Sequence, residues 1–176
     1  MPTHRHGPMR RFLLGSITAQ VLDRANCPVW TVANSTWPGP DGLKRVLCGV
    51  NFSPPTRNTI RWAAWFAGAF GASLSVMCVL PPEPPSDVPE WFTSEWDEGA
   101  LPGLDSRLRE LLKELRVDAE ILMDQGDAAA ILTNTANATA ADLIVLGRRS
   151  GKDGSGRLDS TVDAIVRHAR CPVVSL

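Results

Sequence analysis

The sequence predicts an α/β fold built on a five-stranded parallel sheet with helices on both faces. Three observations predict it. From Lys44 onward, short runs rich in Val, Ile and Leu recur at the length of strands buried on both sides. Segments with helical spacing separate them, the alternation that parallel sheets and right-handed crossovers require. Finally, residues 16–32 repeat, without a gap, the pattern of residues 160–176.

The elements follow in order. "RVLCGVN" (45–51) reads as the first buried strand, and "SPPTRN" after it offers Ser53 or Thr56 as a helix cap. "TIRWAAWFAGAFG" sets Ile60, Ala63, Ala64, Ala67 and Phe70 at helical spacing and stops at Gly71. "SLSVMCVL" (73–80) is the second strand. Residues 81–103 hold six prolines together with Trp91 and Trp96, and read as a long loop. These tryptophans suit a binding surface and a shield for the domain edge equally. "LDSRLRELLKEL" (104–115) is an amphipathic helix with Leu104, Leu108, Leu111, Leu112 and Leu115 on one stripe. A strand over 117–125 comes next, and Asp127 stands where it would cap the helix "DAAAILTNTANATA". "DLIVLG" (142–147) is the fourth strand. A glycine-rich loop, a helix from Ser160 to about Ala169 and the strand "CPVVSL" complete the pattern.

The first 43 residues fit this scheme as a repeat. Ser16 aligns with Ser160, Val21 with Ile165, Ala25 with Ala169, and "CPV" (27–29) with "CPV" (171–173). Residues 1–33 therefore read as a remnant, the last helix and strand of a first, truncated copy. Residues 34–43 are the linker and 44–176 the complete domain. Laying 27–32 beside 171–176 would pair the two copies within the chain, and would cover an apolar edge strand that otherwise invites aggregation.

The totals narrow the function. At 176 residues the chain holds one domain with a full core, and 44% apolar with 21% charged residues is ordinary for a globular protein. A net charge of −1 gives no electrostatic case for nucleic acid or an anionic membrane. The apolar run near the N-terminus, "FLL", is too short for a secretion signal. Cys27, Cys48, Cys78 and Cys171 form no ligand-spaced cluster with His, so neither a metal nor a disulfide framework is indicated. Cys48 and Cys78 sit inside strand-like runs, as small buried hydrophobes do, and a reducing cytoplasm is the expected compartment. His4 and His6 read as solvent-exposed, and His168 as a cation near a helix C-terminus. No Ser-His-Asp or Cys-His arrangement is supported, so catalysis is not expected.

"KRVLCGVNFSPPTRNTIRWAAWFAGAFGASLSVMCVLPP", "QGDAAAIL", "ADLIVLGRR" and "RHARCPVV" together resemble the universal stress protein family over nearly the whole chain. The resemblance implies an adenine nucleotide α-hydrolase-like, Rossmann-like domain, cytoplasmic and acting in stress responses with little or no turnover, and commonly a homo-oligomer paired through its last strand, here 171–176, for which 27–32 is the internal alternative. It also implies where ATP sits in the members that bind it: on a loop of the form G-x2-G-x9-G-[ST], with an Asp after the first strand and a Val ending the second. Carried onto this chain, the Asp position holds Asn51 and the Val is Val79. The first loop glycine is Gly147. The second falls on Ser150, with Gly151 one step late, and the last on Asp159, followed by Ser160 and Thr161. The loop is also one residue short.

These departures have physical weight. Glycines let backbone N–H groups approach a phosphate, and Asp159 sets a carboxylate where that phosphate would lie. Like charges a few Å apart repel by about 4 kcal/mol at intermediate dielectric. Arg148, Arg149, Lys152 and Arg157 oppose that effect, and Asn51 keeps hydrogen-bonding capacity without charge. The sequence thus favours a non-catalytic regulatory or interaction module with a degenerate nucleotide loop and no cofactor. The alternative is an ATP- or nucleotide-binding sensor using residues 147–161.

Overall fold

The computed structural model describes residues 16–32, 42–52, 55–81, 100–148 and 160–176. Its elements are α1 (Ser16–Arg24), β1 (Val29–Thr31), β2 (Arg45–Val50), α2 (Thr56–Phe70), β3 (Ser73–Leu80), α3 (Ala100–Leu115), β4 (Glu120–Gln125), α4 (Ala128–Ala138), β5 (Leu143–Leu146), α5 (Ser160–His168) and β6 (Val173–Ser175). Predicted cap candidate Ser53, His4, His6 and the 81–103 loop with Trp91 and Trp96 lie wholly or mostly outside the described residues.

The six strands form one sheet in the order β1-β6-β5-β2-β3-β4. Neighbours from β6 to β4 are parallel, and β1 pairs antiparallel with β6. The sheet is therefore mixed and has six strands, where five parallel ones were expected. The difference arises because β1, from the N-terminal segment, joins the same sheet with reversed direction.

Two apolar clusters lie on either side of the sheet. On one, Ile60 and Ala63 of α2 and Leu108 and Leu112 of α3 pack on Val46, Cys48, Val76 and Val145. On the other, Leu132 of α4 and Val162 and Ile165 of α5 meet Leu47, Met77, Ile144 and Val173. Leu22 of α1 joins this second cluster, buried like the rest. Burial on this scale, at about 25 cal/mol per Å² of apolar surface, is the main term opposing chain entropy. The predicted stripe of α3 is borne out in the buried Leu108 and Leu112, with Leu104, Leu111 and Leu115 half-buried.

Several local expectations are met. Gly71 caps α2 in the left-handed conformation, φ 65°, its own N–H donating to the Gly68 carbonyl and the Ala72 N–H to the Ala67 carbonyl. Asp127 caps α4, its Oδ1 accepting from the Ala130 N–H at 2.7 Å. The cap of α2 is different from that expected. Thr56 lies inside the helix, the N-cap position is Pro55, and no side chain accepts a capping hydrogen bond there. Proline's fixed φ and lack of an N–H suit a helix start on their own. At the opposite end of the strands, Asp142 sets the β5–β2 register: its Oδ2 accepts from the Lys44 and Arg45 N–H groups at 2.8 and 2.9 Å.

An aromatic row on α2 reaches across to β1. Trp62 stacks on Phe66 at 4.9 Å, Phe66 meets Phe70 at 4.8 Å, and Trp30 of β1 meets Phe66 at 5.4 Å. The N-terminal unit is thus held on both faces of the sheet, by Trp30 on the α2 side and Leu22 on the α5 side. Among the described residues no helix is long and apolar enough to cross a membrane.

Candidate functional site

In open α/β sheets a ligand binds beyond the carboxyl ends of the strands, where the strand order reverses. Here that point lies at β2, whose neighbours are β5 and β3. Asn51 follows β2 directly and is exposed. Val50 pairs with Cys78, so the same register continued by one residue sets Asn51 level with Val79. Gly49 pairs with Leu146, so Gly147 leaves β5 level with Val50. Three of the predicted positions therefore converge on one end of the sheet. Ser160 and Thr161 open α5, while Ser150, Gly151 and Asp159 lie outside the described residues.

The backbone turns sharply at this point. Phe52 takes a left-handed φ of 55°, uncommon for a bulky residue and worth roughly 1–2 kcal/mol of strain. Its ring packs against the α2–α3 cluster with the Arg107 guanidinium 5.2 Å from its centroid, which offsets that cost.

Each predicted residue has its own surroundings. The Val79 side chain is buried in the cluster under α4, and its backbone lies in the β3–β4 ladder opposite Asp124. The next carbonyl, on Leu80, accepts from the Gly126 N–H at 2.7 Å. Gly147 is crowded from the α2 side. A Cβ placed on it would stand 2.7 Å from Thr59 Oγ1 and 3.7 Å from Pro55. Thr59 is only 1% exposed and donates its hydroxyl to the Pro55 carbonyl at 3.0 Å. Glycine at 147 therefore has a packing reason: it lets the end of β5 approach the first turn of α2.

Arg148 was grouped by sequence with the basic residues of the loop. Its guanidinium instead reaches away to the N-terminal unit, donating from Nη1 to the Leu22 carbonyl and from Nη2 to the Cys27 carbonyl, both at 2.6 Å. Its backbone N–H donates to the Leu176 carbonyl, while the Leu176 N–H donates to Leu146. Burial pulls this guanidinium below its ordinary pKa. Sequence spacing held no signal for these bonds, which join residues 126 and 121 positions apart.

Cys48 and Cys78 serve the core. Burial pushes the Cys48 thiol up to about 12 and Cys78 to about 11, the opposite of an activated nucleophile. Among the described residues no group of three His, Cys, Asp or Glu side chains could hold a metal ion.

With this geometry in place, comparison with known proteins is decisive for the family. The universal stress protein family matches residues 1–33 and 42–175. The chain belongs to the universal stress protein family. Solved structures agree on the fold. A universal stress protein of Archaeoglobus fulgidus DSM 4304 shares 20% identity at a TM-score of 0.66, covering 95% of this chain and 55% of that one. UspA from Lactobacillus plantarum shares 19% identity at a TM-score of 0.62, covering 76% of this chain and 97% of its own. A universal stress protein in complex with cAMP shares 17% identity at a TM-score of 0.55, again covering 76% and 97%. The chain spans 55–60% of the length of three longer structures that it matches over nearly all of its own length. Curated protein sequences contain no match.

Proposed function

We propose that this universal stress protein is a non-catalytic regulatory or interaction module whose nucleotide loop has turned to structural work. The observation that carries this reading is the commitment of Gly147 and Arg148, the first two residues of the loop. Gly147 accommodates Thr59, and Arg148 holds the N-terminal unit through two main-chain carbonyls. Both terminal nitrogens of this guanidinium are engaged with the Leu22 and Cys27 carbonyls. Asn51 in place of an acid, Ser150 and Asp159 in place of glycines, point the same way.

We further infer the domain plan: residues 1–33 correspond to the end of a first universal stress protein domain, 34–43 to a linker, and 44–176 to a domain. The separate family matches over 1–33 and 42–175 support it. So does the helix-strand form of residues 16–32, which follows that of 160–176. A cytoplasmic location fits the exposed Cys27 and the free thiols throughout.

The second reading is a nucleotide sensor, supported by the structural relative that carries cAMP and by Asn51, Val79 and Gly147 sharing one end of the sheet. Thermal unfolding with ATP and magnesium, and separately with cAMP, separates the two. A ligand at 100 times its dissociation constant would stabilise the fold by about 2.7 kcal/mol, roughly 5–10 °C in a chain of this size. We expect no shift at millimolar nucleotide. A saturable rise in Tm would replace the first reading with the second.

A further inference from the structure

We infer that residues 16–32 carry a docking face on the side of β1 away from β6, and that the partner it fits is an apolar strand running parallel to β1. The repeat supplies the ground, because one kind of unit occurs twice in this structure with different neighbours. Leu22 and its counterpart Val166 are equally buried, each at 2% exposure. Other counterparts differ. Val21 is 45% exposed, whereas Ile165 is at 0%. Ala25 is half-buried and Pro28 exposed, against a buried Ala169 and Pro172. Val29 and Thr31 are half-buried, against a buried Val173 and Ser175. Val32 is exposed where the repeat has the half-buried Leu176.

The differences share a side. Val21 and Ala25 lie four residues apart, on one face of α1, and Leu22 points elsewhere, into the cluster under α5. The N-terminal unit thus presents to solvent an apolar face that the C-terminal unit buries.

What buries that face in the second unit identifies the occupant. Ile165, Ala169 and Val173 share a cluster with Ile144 and Leu146 of β5, and with Leu132 and Ala136 of α4. β5 runs parallel to β6, with Ile144, Val145 and Leu146 beside Val173, Val174 and Ser175. The Ile144 N–H donates to the Pro172 carbonyl at 3.0 Å, and the Leu176 N–H donates to the Leu146 carbonyl at 3.0 Å. Carried across the repeat, an incoming strand sets three such residues beside Val29, Trp30 and Thr31, with its first N–H at the Pro28 carbonyl. It must be apolar where it meets Val21 and Ala25, as β5 is where it joins Ile165 and Ala169. Within the described sheet β1 is the outer strand and β6 its neighbour. Addition of a partner strand therefore extends the sheet and leaves the β1–β6 pairing in place, with main-chain bonds giving affinity and alternate side chains specificity.

This inference gives the interaction-module reading a surface and a class of partner, and rests on that reading for its biological use. A nucleotide titration can fail or succeed without touching the outcome below.

The test uses the full chain and a labelled synthetic peptide with the sequence ADLIVLGRR, residues 141–149. Fluorescence anisotropy reads binding, and amide hydrogen exchange by mass spectrometry reads its place. We expect saturable binding, with exchange slowed over 28–32. The peptide carrying Ile144→Pro, which lacks the N–H that would reach Pro28, should bind about tenfold more weakly or worse. Val21→Asp in the protein sets a carboxylate against the incoming strand from a solvent-exposed position, and should weaken the unmodified peptide by about tenfold or more. If V21D loses cooperative unfolding, Val32→Asp probes the same face from beyond the strand. Absence of binding, equal binding of the two peptides, or slowed exchange confined to β4 at the other edge would overturn the proposal. So would unchanged binding by the folded variant, or faster exchange over 16–32, which would mean that the peptide displaces the N-terminal unit.

Discussion

Replacing Gly147 by alanine tests whether this glycine serves packing or a ligand. The new Cβ would lie 2.7 Å from Thr59 Oγ1, closer than real Cβ atoms come to a heavy atom. Thr59 cannot yield cheaply. It is buried at 1% exposure, its β-branched side chain is stiff within a helix, and its hydroxyl is bonded to the Pro55 carbonyl. Overpacking of this kind costs about 1–3 kcal/mol, and in a chain of this length each kcal/mol moves Tm by roughly 2–4 °C. Urea denaturation of G147A should show that loss without any nucleotide present. Thr59→Ala removes the obstructing atoms at a cost of its own. In the double variant the two losses should fall short of additivity by about 1 kcal/mol, a coupling expected only of residues in contact. Additive losses, or a G147A variant as stable as wild type, would refute the packing account and return Gly147 to the ligand.

Other perturbations follow from the same geometry. Asp127→Ala removes the oxygen that accepts from Ala130 and should cost about 0.5–2 kcal/mol in urea denaturation, with Asp127→Asn losing much less. Asp142→Ala frees two N–H groups at the start of β2 and should cost about 1–3 kcal/mol, seen also as faster amide exchange at Lys44 and Arg45. Thiol labelling at pH 8 should modify the exposed Cys27 at once. Cys48 and Cys78, whose thiols burial pushes to about 12 and 11, should react only as the chain unfolds. Labelling of Cys48 at the rate of Cys27 in the folded protein would contradict the packing of β2.

Much of the fold is legible in local sequence because short-range physics writes it. The run "LIVL" (143–146) forms β5, one residue inside each end of the expected 142–147, since a strand covered on both faces must be apolar throughout. Gly71 and Asp127 mark helix ends because backbone groups there need a left-handed turn or a capping oxygen. Where signals were weaker, boundaries moved. The strand expected from 117 begins at Glu120, and the helix expected from 104 begins at Ala100. Thr56 looked like a cap because of its hydroxyl, yet the backbone of Pro55 starts that helix without one.

The site was legible in part, and for a reason that separates two kinds of information. The repeat of 16–32 in 160–176 is written in composition and spacing alone, whereas Asn51, Val79 and Gly147 are marked out as one site by the resemblance to the family. What Gly147 and Arg148 do there was decided by tertiary structure. The neighbours that give them their roles, Thr59 across the sheet end and the Leu22 and Cys27 carbonyls of the N-terminal unit, lie far away along the chain. No local pattern encodes such a meeting, because a carbonyl carries no side-chain identity and a close approach exists only once the layers have packed.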